Sequence, residues 1–191
     1  DKSLLLAETV GSQLAYHALE ALRGDAVIRD ETAALAYRNS TFLVSVHNQL
    51  FQAAFSVGIF PTRSPELIDP ETSVPYIRSE VAMIDIGRSS IITIPGELDP
   101  ALFLGGYDGS YTPAGVDIVD TSLTNPPDLT EAPDGPYLSD LVREDAEFVW
   151  LFGLTNDAIG YLVPDFDYEL NPVLPYLAEA EGDHYEETNS L

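Results

Sequence analysis

Apolar residues recur at spacings of three to five between Ser3 and Arg23 (Leu4, Leu5, Val10, Leu14, Ala18, Leu19, Leu22), and the pattern stops at Gly24-Asp25. One face of a helix repeats every 3.6 residues, so this spacing predicts a helix over Ser3–Arg23. From Thr41 to Val46 the residues are β-branched and apolar, which predicts a strand; Asn48 to Val57 then reads as a second helix, with Leu50, Phe51, Ala54 and Phe55 on one side. Pro61 to Pro75 is a loop rich in Pro and polar residues. Two strands follow, Val81–Ile86 and Ser90–Ile94, parted by Gly87-Arg88 in the manner of a hairpin. Gly, Pro and Asp crowd residues 105–140, too long for an ordinary connection and therefore read as an excursion over the surface. The run Ala146–Leu154 is almost wholly apolar and predicts a strand buried on both faces.

These elements predict an α/β fold, a mixed β-sheet core flanked by helices, within one domain spanning 1–191. The opening Asp1-Lys2-Ser3-Leu4 reads as the middle of a helix, and Thr188-Asn189-Ser190-Leu191 has no cap or polar tail. Both ends are therefore expected to be cuts in a longer chain, making this the C-terminal portion of an incomplete catalytic domain.

Composition narrows the chemistry. At 45% hydrophobic residues the 191-residue chain can bury a core, and no apolar run reaches the roughly 18 residues of a membrane span. No cysteine is present, which removes disulfides, thiolate metal sites and cysteine nucleophiles; it suits an exported bacterial protein, but many cytosolic chains look the same. The formal charge is −24, from 32 acidic against 8 basic residues. Nucleic acid is thus excluded as a partner, since little here could replace counterions on a phosphate backbone. A solvated, self-repelling surface explains most of the acidity, with divalent-ion binding as the lesser reading.

Two sites share one arrangement, a strand running out into a polar turn: Ile91–Ile94 into Pro95-Gly96-Glu97, and Phe148–Leu154 into Asn156, Asp157 and Tyr161. Strand ends are where α/β proteins place functional groups, and Gly96 permits an unusual turn just before a carboxylate. The three histidines are less suggestive. His17 and Glu20 share a helix and read as an exposed pair, His47 lacks a second ligand, and His184 adjoins Tyr185. Asp165, Asp167 and Glu169 alternate as calcium ligands do, although a solvated loop fits them better.

Taken together, strand-Pro-Gly-Glu, then Gly-Leu-Thr-Asn-Asp-Ala-Ile-Gly-Tyr, then Tyr-Glu-Glu-Thr-Asn-Ser resembles the catalytic domain of the neutral/alkaline ceramidase family, zinc-dependent amidases. The likeness is clearest from about Glu80 to Leu191. It implies Glu97 and Tyr161 as zinc ligands, Tyr185 as the catalytic donor to the substrate amide or oxyanion, and Asn156 and Asp157 as residues that orient the ligands. It further implies zinc as cofactor; calcium or magnesium is the additional ion that the acidic residues, not the likeness, suggest. The substrate would be ceramide or a related N-acyl lipid, cleaved by zinc-activated water or by a serine. Peripheral contact with a membrane and a secreted, cell-surface or periplasmic setting follow from the same likeness, with Phe103-Leu104 and Tyr107–Tyr111 as the apolar candidates for that contact.

The family's two zinc-binding histidines and its Gly-Asp-Val-Ser-type segment have no counterpart here. They are expected in the missing N-terminal part of the same domain, so this chain alone is expected to be inactive. The 24 positions between Tyr161 and Tyr185 exceed the family's usual spacing, which bears on the substrate. The competing reading is a non-catalytic acidic domain that keeps this fold and binds a ligand or calcium. A serine hydrolase of α/β-hydrolase type is disfavoured because no Gly-x-Ser-x-Gly occurs.

Overall fold

The computed structural model describes residues 2–25, 27–59, 65–107, 115, 119–182, 184 and 187–191. They fall into two units, Asp1–Ala33 and Ala34–Leu191. The first is built on helix α1, Lys2–Arg23, close to the span its periodicity predicts. No residue of α1 is buried: Leu4, Leu14 and Leu22 are all well exposed, and Glu20 pairs with Arg23 at 3.5 Å.

The second unit is α/β. Its main sheet runs β1 (Leu35–Ser45), β3 (Pro75–Ile86), β4 (Ser89–Thr93), β6 (Phe148–Phe152), with the short β2 (Leu67–Ile68) also on β3. β3 is antiparallel to both neighbours, whereas β4 and β6 are parallel, so the sheet is mixed. The expected hairpin is present: Ile86 pairs with Ser89 across Gly87-Arg88, and Gly87 takes φ 55°, which a two-residue turn readily gives to glycine. Strand β1 starts earlier than its apolar pattern suggests. Leu35 lies opposite Ile86, and the polar stretch after it is held by β3, where Arg38 pairs with the buried Asp85 at 3.0 Å. Ser90 donates to the same carboxylate at 2.5 Å.

The core lies on one face of this sheet. Val46, Ile77 and Ile159 are buried together, and Phe51 and Phe55 of α2 (Gln49–Ser56) pack onto them with Val44, Leu162 and Leu191. The spacing of Phe51 and Phe55 puts both on one side of α2. Asn48 caps α2 by accepting from Leu50 N at 2.9 Å.

The opposite face corrects one expectation. Strand β6 is not buried on both sides; its residues alternate between half-buried and exposed, with Phe148, Trp150 and Phe152 about half exposed. It is an edge strand, and among the described residues of the Ala34–Leu191 unit its outer face stays half exposed. The 105–140 excursion is irregular as expected, its described part holding only short 3-10 turns at Leu129–Glu131 and Leu138–Leu141.

Candidate functional site

Three remote segments meet where β4 and β6 end. Ile94 N donates to Phe152 O at 2.9 Å and Thr155 N to Ile94 O at 3.1 Å, continuing the parallel pairing beyond the strands. The chain then forms a second, two-stranded parallel ladder of β5 (Glu97–Leu98) and β7 (Tyr161–Leu162). Glycines permit this convergence. A Cβ on Gly153 would lie 2.9 Å from Gly96 O, one on Gly96 would lie 2.6 Å from Gly160 O, and one on Gly160 would overlap Asn189 O. Four stretches of backbone thus stack at separations that only glycine allows.

Within the ladder Glu97 stands directly opposite Tyr161, fixed by Glu97 N donating to Gly160 O at 3.0 Å and Asp99 N to Leu162 O at 2.9 Å. Residues paired in this way project to the same side of neighbouring strands, about 4.8 Å apart. Glu97 is exposed and Tyr161 half-buried. The structure therefore brings together the two residues singled out as ligands. Asn156 occupies a left-handed turn at φ 63°, and the Asp157 carboxylate accepts from Ser79 Oγ at 3.0 Å, bracing the loop against β3. Tyr185 lies outside the described residues. The final segment is held by the buried Asn48, whose amide donates to Thr188 O at 3.0 Å and Ser190 O at 2.9 Å.

Sequence reasoning missed a buried polar cluster beside this ladder. Asp99 follows β5 and caps α3 (Pro100–Leu104), accepting from Ala101 N at 2.7 Å. Burial raises its carboxyl above the usual range, and the Ala101 bond opposes the rise. Nearby, the Tyr107 phenol is pushed well above its usual value, first by burial and then by Asp99, Asp167 and Tyr137. Its ring meets Phe166 edge-on at 5.1 Å. The loop through Asp167 and Glu169 is not simply solvated, contrary to expectation. Asp167 is buried, His184 Nε2 lies 3.1 Å from Glu169 Oε2, and Asn125 donates to Glu169 Oε2 at 3.0 Å. These contacts use the acids to fasten the excursion and the last segment. The available signal was Asp99-Pro100, a capping residue followed by proline at the first helical position.

His17 lies in the Asp1–Ala33 unit, and His47, between the buried Val46 and Asn48, is exposed. Of the apolar candidates for membrane contact, Tyr107 is buried and Leu104 exposed, while residues 108–111 lie outside the described residues. No helix among the described residues is long and apolar enough to cross a membrane.

A cleft of about 420 Å³ opens beside Tyr161, with Val44, Leu102, Ile159, Leu162 and Leu191 among its walls and Asp165 on its lining. Among the described residues, no group of three or more His, Asp or Glu side chains is arranged to hold a metal. No family model matches the sequence, and no curated protein or solved structure matches it either.

Proposed function

We propose that this chain supplies part of the active site of a zinc-dependent amidase that cleaves the N-acyl bond of ceramide or a related N-acyl lipid. The observation that carries this reading is the in-register opposition of Glu97 and Tyr161. A carboxylate and a phenolate are both competent oxygen donors to zinc, and adjacent positions on parallel strands allow one ion to take both. Catalytic zinc needs about three protein ligands, so histidine donors from a further segment of the same domain would complete the set. Bound there, zinc would polarise the amide carbonyl and make a water or hydroxyl nucleophilic near neutral pH.

The chain's own contributions follow from its geometry. The glycine-packed ladder holds Glu97 and Tyr161 on backbone hydrogen bonds, so neither donor depends on a mobile loop for its position. Asp157, through Ser79, fixes the turn that delivers Tyr161. Tyr185, next to His184, would donate to the developing oxyanion. The half-exposed sheet face, continuous with the strands that end in both donors, would receive the segment bearing the histidines and serine. Any bilayer contact would then lie at the mouth of the completed site.

The test uses the whole protein. Glu97→Ala is expected to lose stoichiometric zinc by elemental analysis and to lower amide hydrolysis by at least about 10²-fold. Conservative Glu97→Asp should retain part of the metal. Wild-type zinc content and turnover in Glu97→Ala would remove the residue from the ligand set. Tight zinc binding and full activity by the 191-residue chain alone would defeat the shared-site reading.

A further inference from the structure

Asn48 caps α2, yet capping alone explains neither its chemistry nor its depth. A cap needs one acceptor, which serine, threonine or aspartate supplies as well. Asn48 is fully buried, and besides accepting from Leu50 N it donates to Thr188 O and Ser190 O, 140 and 142 positions further along the chain. Both hydrogens of its amide are thus committed to one short segment, which they grip on either side of Asn189.

Asn189 is the part of that segment that meets the donor ladder. Its carbonyl oxygen occupies the space a Cβ would need on Gly160, and Ser190 Cα would lie 3.4 Å from the same Cβ. Gly160 O in turn accepts from Glu97 N at 3.0 Å, and Gly160 directly precedes Tyr161. A continuous path therefore runs from the cap of α2, through the segment 188–190, to both donors. Close packing passes a displacement along such a path, because no void absorbs it. Released from Asn48, the segment no longer presses on Gly160, and the Gly160 carbonyl loses the surface that holds it toward Glu97.

We propose that Asn48 is a positioning residue for the Glu97–Tyr161 pair, acting through the segment 188–190. Its consequence for zinc rests on the amidase reading; its effect on the ladder does not.

Asn48→Ser separates the two duties, since serine keeps a capping oxygen and gives up the two donors to the segment. Hydrogen exchange of the whole protein in EDTA tests the ladder. The amides of Glu97 and Asp99, bonded to Gly160 O and Leu162 O, should exchange roughly ten-fold or more faster in the variant. Amides within β3, such as that of Ile84, should change far less. The wild type offers a check that needs no variant: the Asn48 side-chain protons should exchange about as slowly as the Glu97 amide, as members of one opening unit. With zinc restored, its dissociation constant, from competition with a chelating dye, should rise about ten-fold or more in Asn48→Ser. Gly58→Ala, a change remote from the ladder in sequence and with open space around it, should leave that constant at its wild-type value.

Equal acceleration in β3 and at the ladder would overturn the proposal, because Asn48 would then serve only general stability. Unchanged ladder exchange, or fast exchange of the Asn48 side chain in the wild type, would overturn it too. So would wild-type zinc affinity in Asn48→Ser where Glu97→Ala has lost the metal. Equal zinc content in wild type and Glu97→Ala would instead defeat the amidase reading, and acceleration confined to the ladder would still support Asn48 as what sets it.

Discussion

Gly160 carries two constraints at once. Its φ of 93° is one that L side chains rarely adopt, and its missing Cβ makes room for Asn189 O. Gly58 carries only the first, with φ 73° and open space around it. Gly160→Ala should therefore cost about 2 kcal/mol or more, and Gly58→Ala nearer 1 kcal/mol, in urea unfolding. Equal losses would mean that the close approach of the last segment adds nothing beyond the dihedral. A second residue-scale prediction concerns charge. The half-buried Asp69 accepts from Glu71 N at 2.8 Å and Thr72 N at 2.9 Å, and these amides, that of Thr72 foremost, hold its carboxyl below the usual 3.8. Its anion is favoured in the folded state, so the resulting stability is full above pH 3.8 and is lost as pH falls through the lowered value. Asp69→Asn keeps an acceptor for both amides without that titration. Thermal melts between about pH 2 and 6 should show the wild type's advantage over the variant shrinking toward acid. A constant difference would rule the mechanism out.

At the scale of elements, Asn48 joins three of them: it caps α2, sits just beyond β1, and binds the segment ending at Ser190 through two carbonyls. Asn48→Ala should cost about 2–4 kcal/mol, from the lost cap and two buried carbonyls left without their donor. Asn48→Asp should retain the cap yet be no more stable at neutral pH, because a buried carboxylate would face those same carbonyls. Denaturation of both variants checks the order; a stable Asn48→Asp would show that water replaces the amide. The helix α2 and the Gly87-Arg88 hairpin were legible in the sequence, because each is encoded within a few neighbouring residues. The polar half of β1 was not, since Arg38 and Asn39 enter the sheet through partners on β3. Strand β6 was read as a strand but given the wrong environment. A run such as Phe148–Phe152 looks the same whether both of its faces are covered or one is open. The candidate site divides in the same way. Pro95-Gly96-Glu97 and Gly160-Tyr161 each stood out as a polar turn after apolar residues. Their pairing, and the meeting of Asp99, Tyr107 and Asp167, depend on contacts between distant segments that no local pattern records.

For the molecule as a whole, the feature with the largest consequence is the outer face of the main sheet. Register places Leu35, Ile86, Ser89 and Phe148 in one row across it, apolar but for the serine, and Tyr37, Ile84, Ile91 and Trp150 in the next. Leu35 is 76% exposed and Trp150 51%. Single exposed apolar residues are ordinary, but contiguous rows ending on an edge strand mark a surface that another body covers. The proposed function names that body as the histidine-bearing part of the same domain. Trp150 reports on it directly, being the sole tryptophan. In the 191-residue chain its emission should be red-shifted and readily quenched by acrylamide; in the whole protein it should be blue-shifted and several-fold less quenchable. Replacing Trp150 with Thr, together with Phe148→Thr, should lower binding of an apolar dye by the isolated chain while preserving its β-sheet circular dichroism. Leu14→Lys in α1 serves as a separate control for the apolar residues of that helix. If Trp150 is equally accessible in both forms, the sheet face is not where the rest of the domain docks.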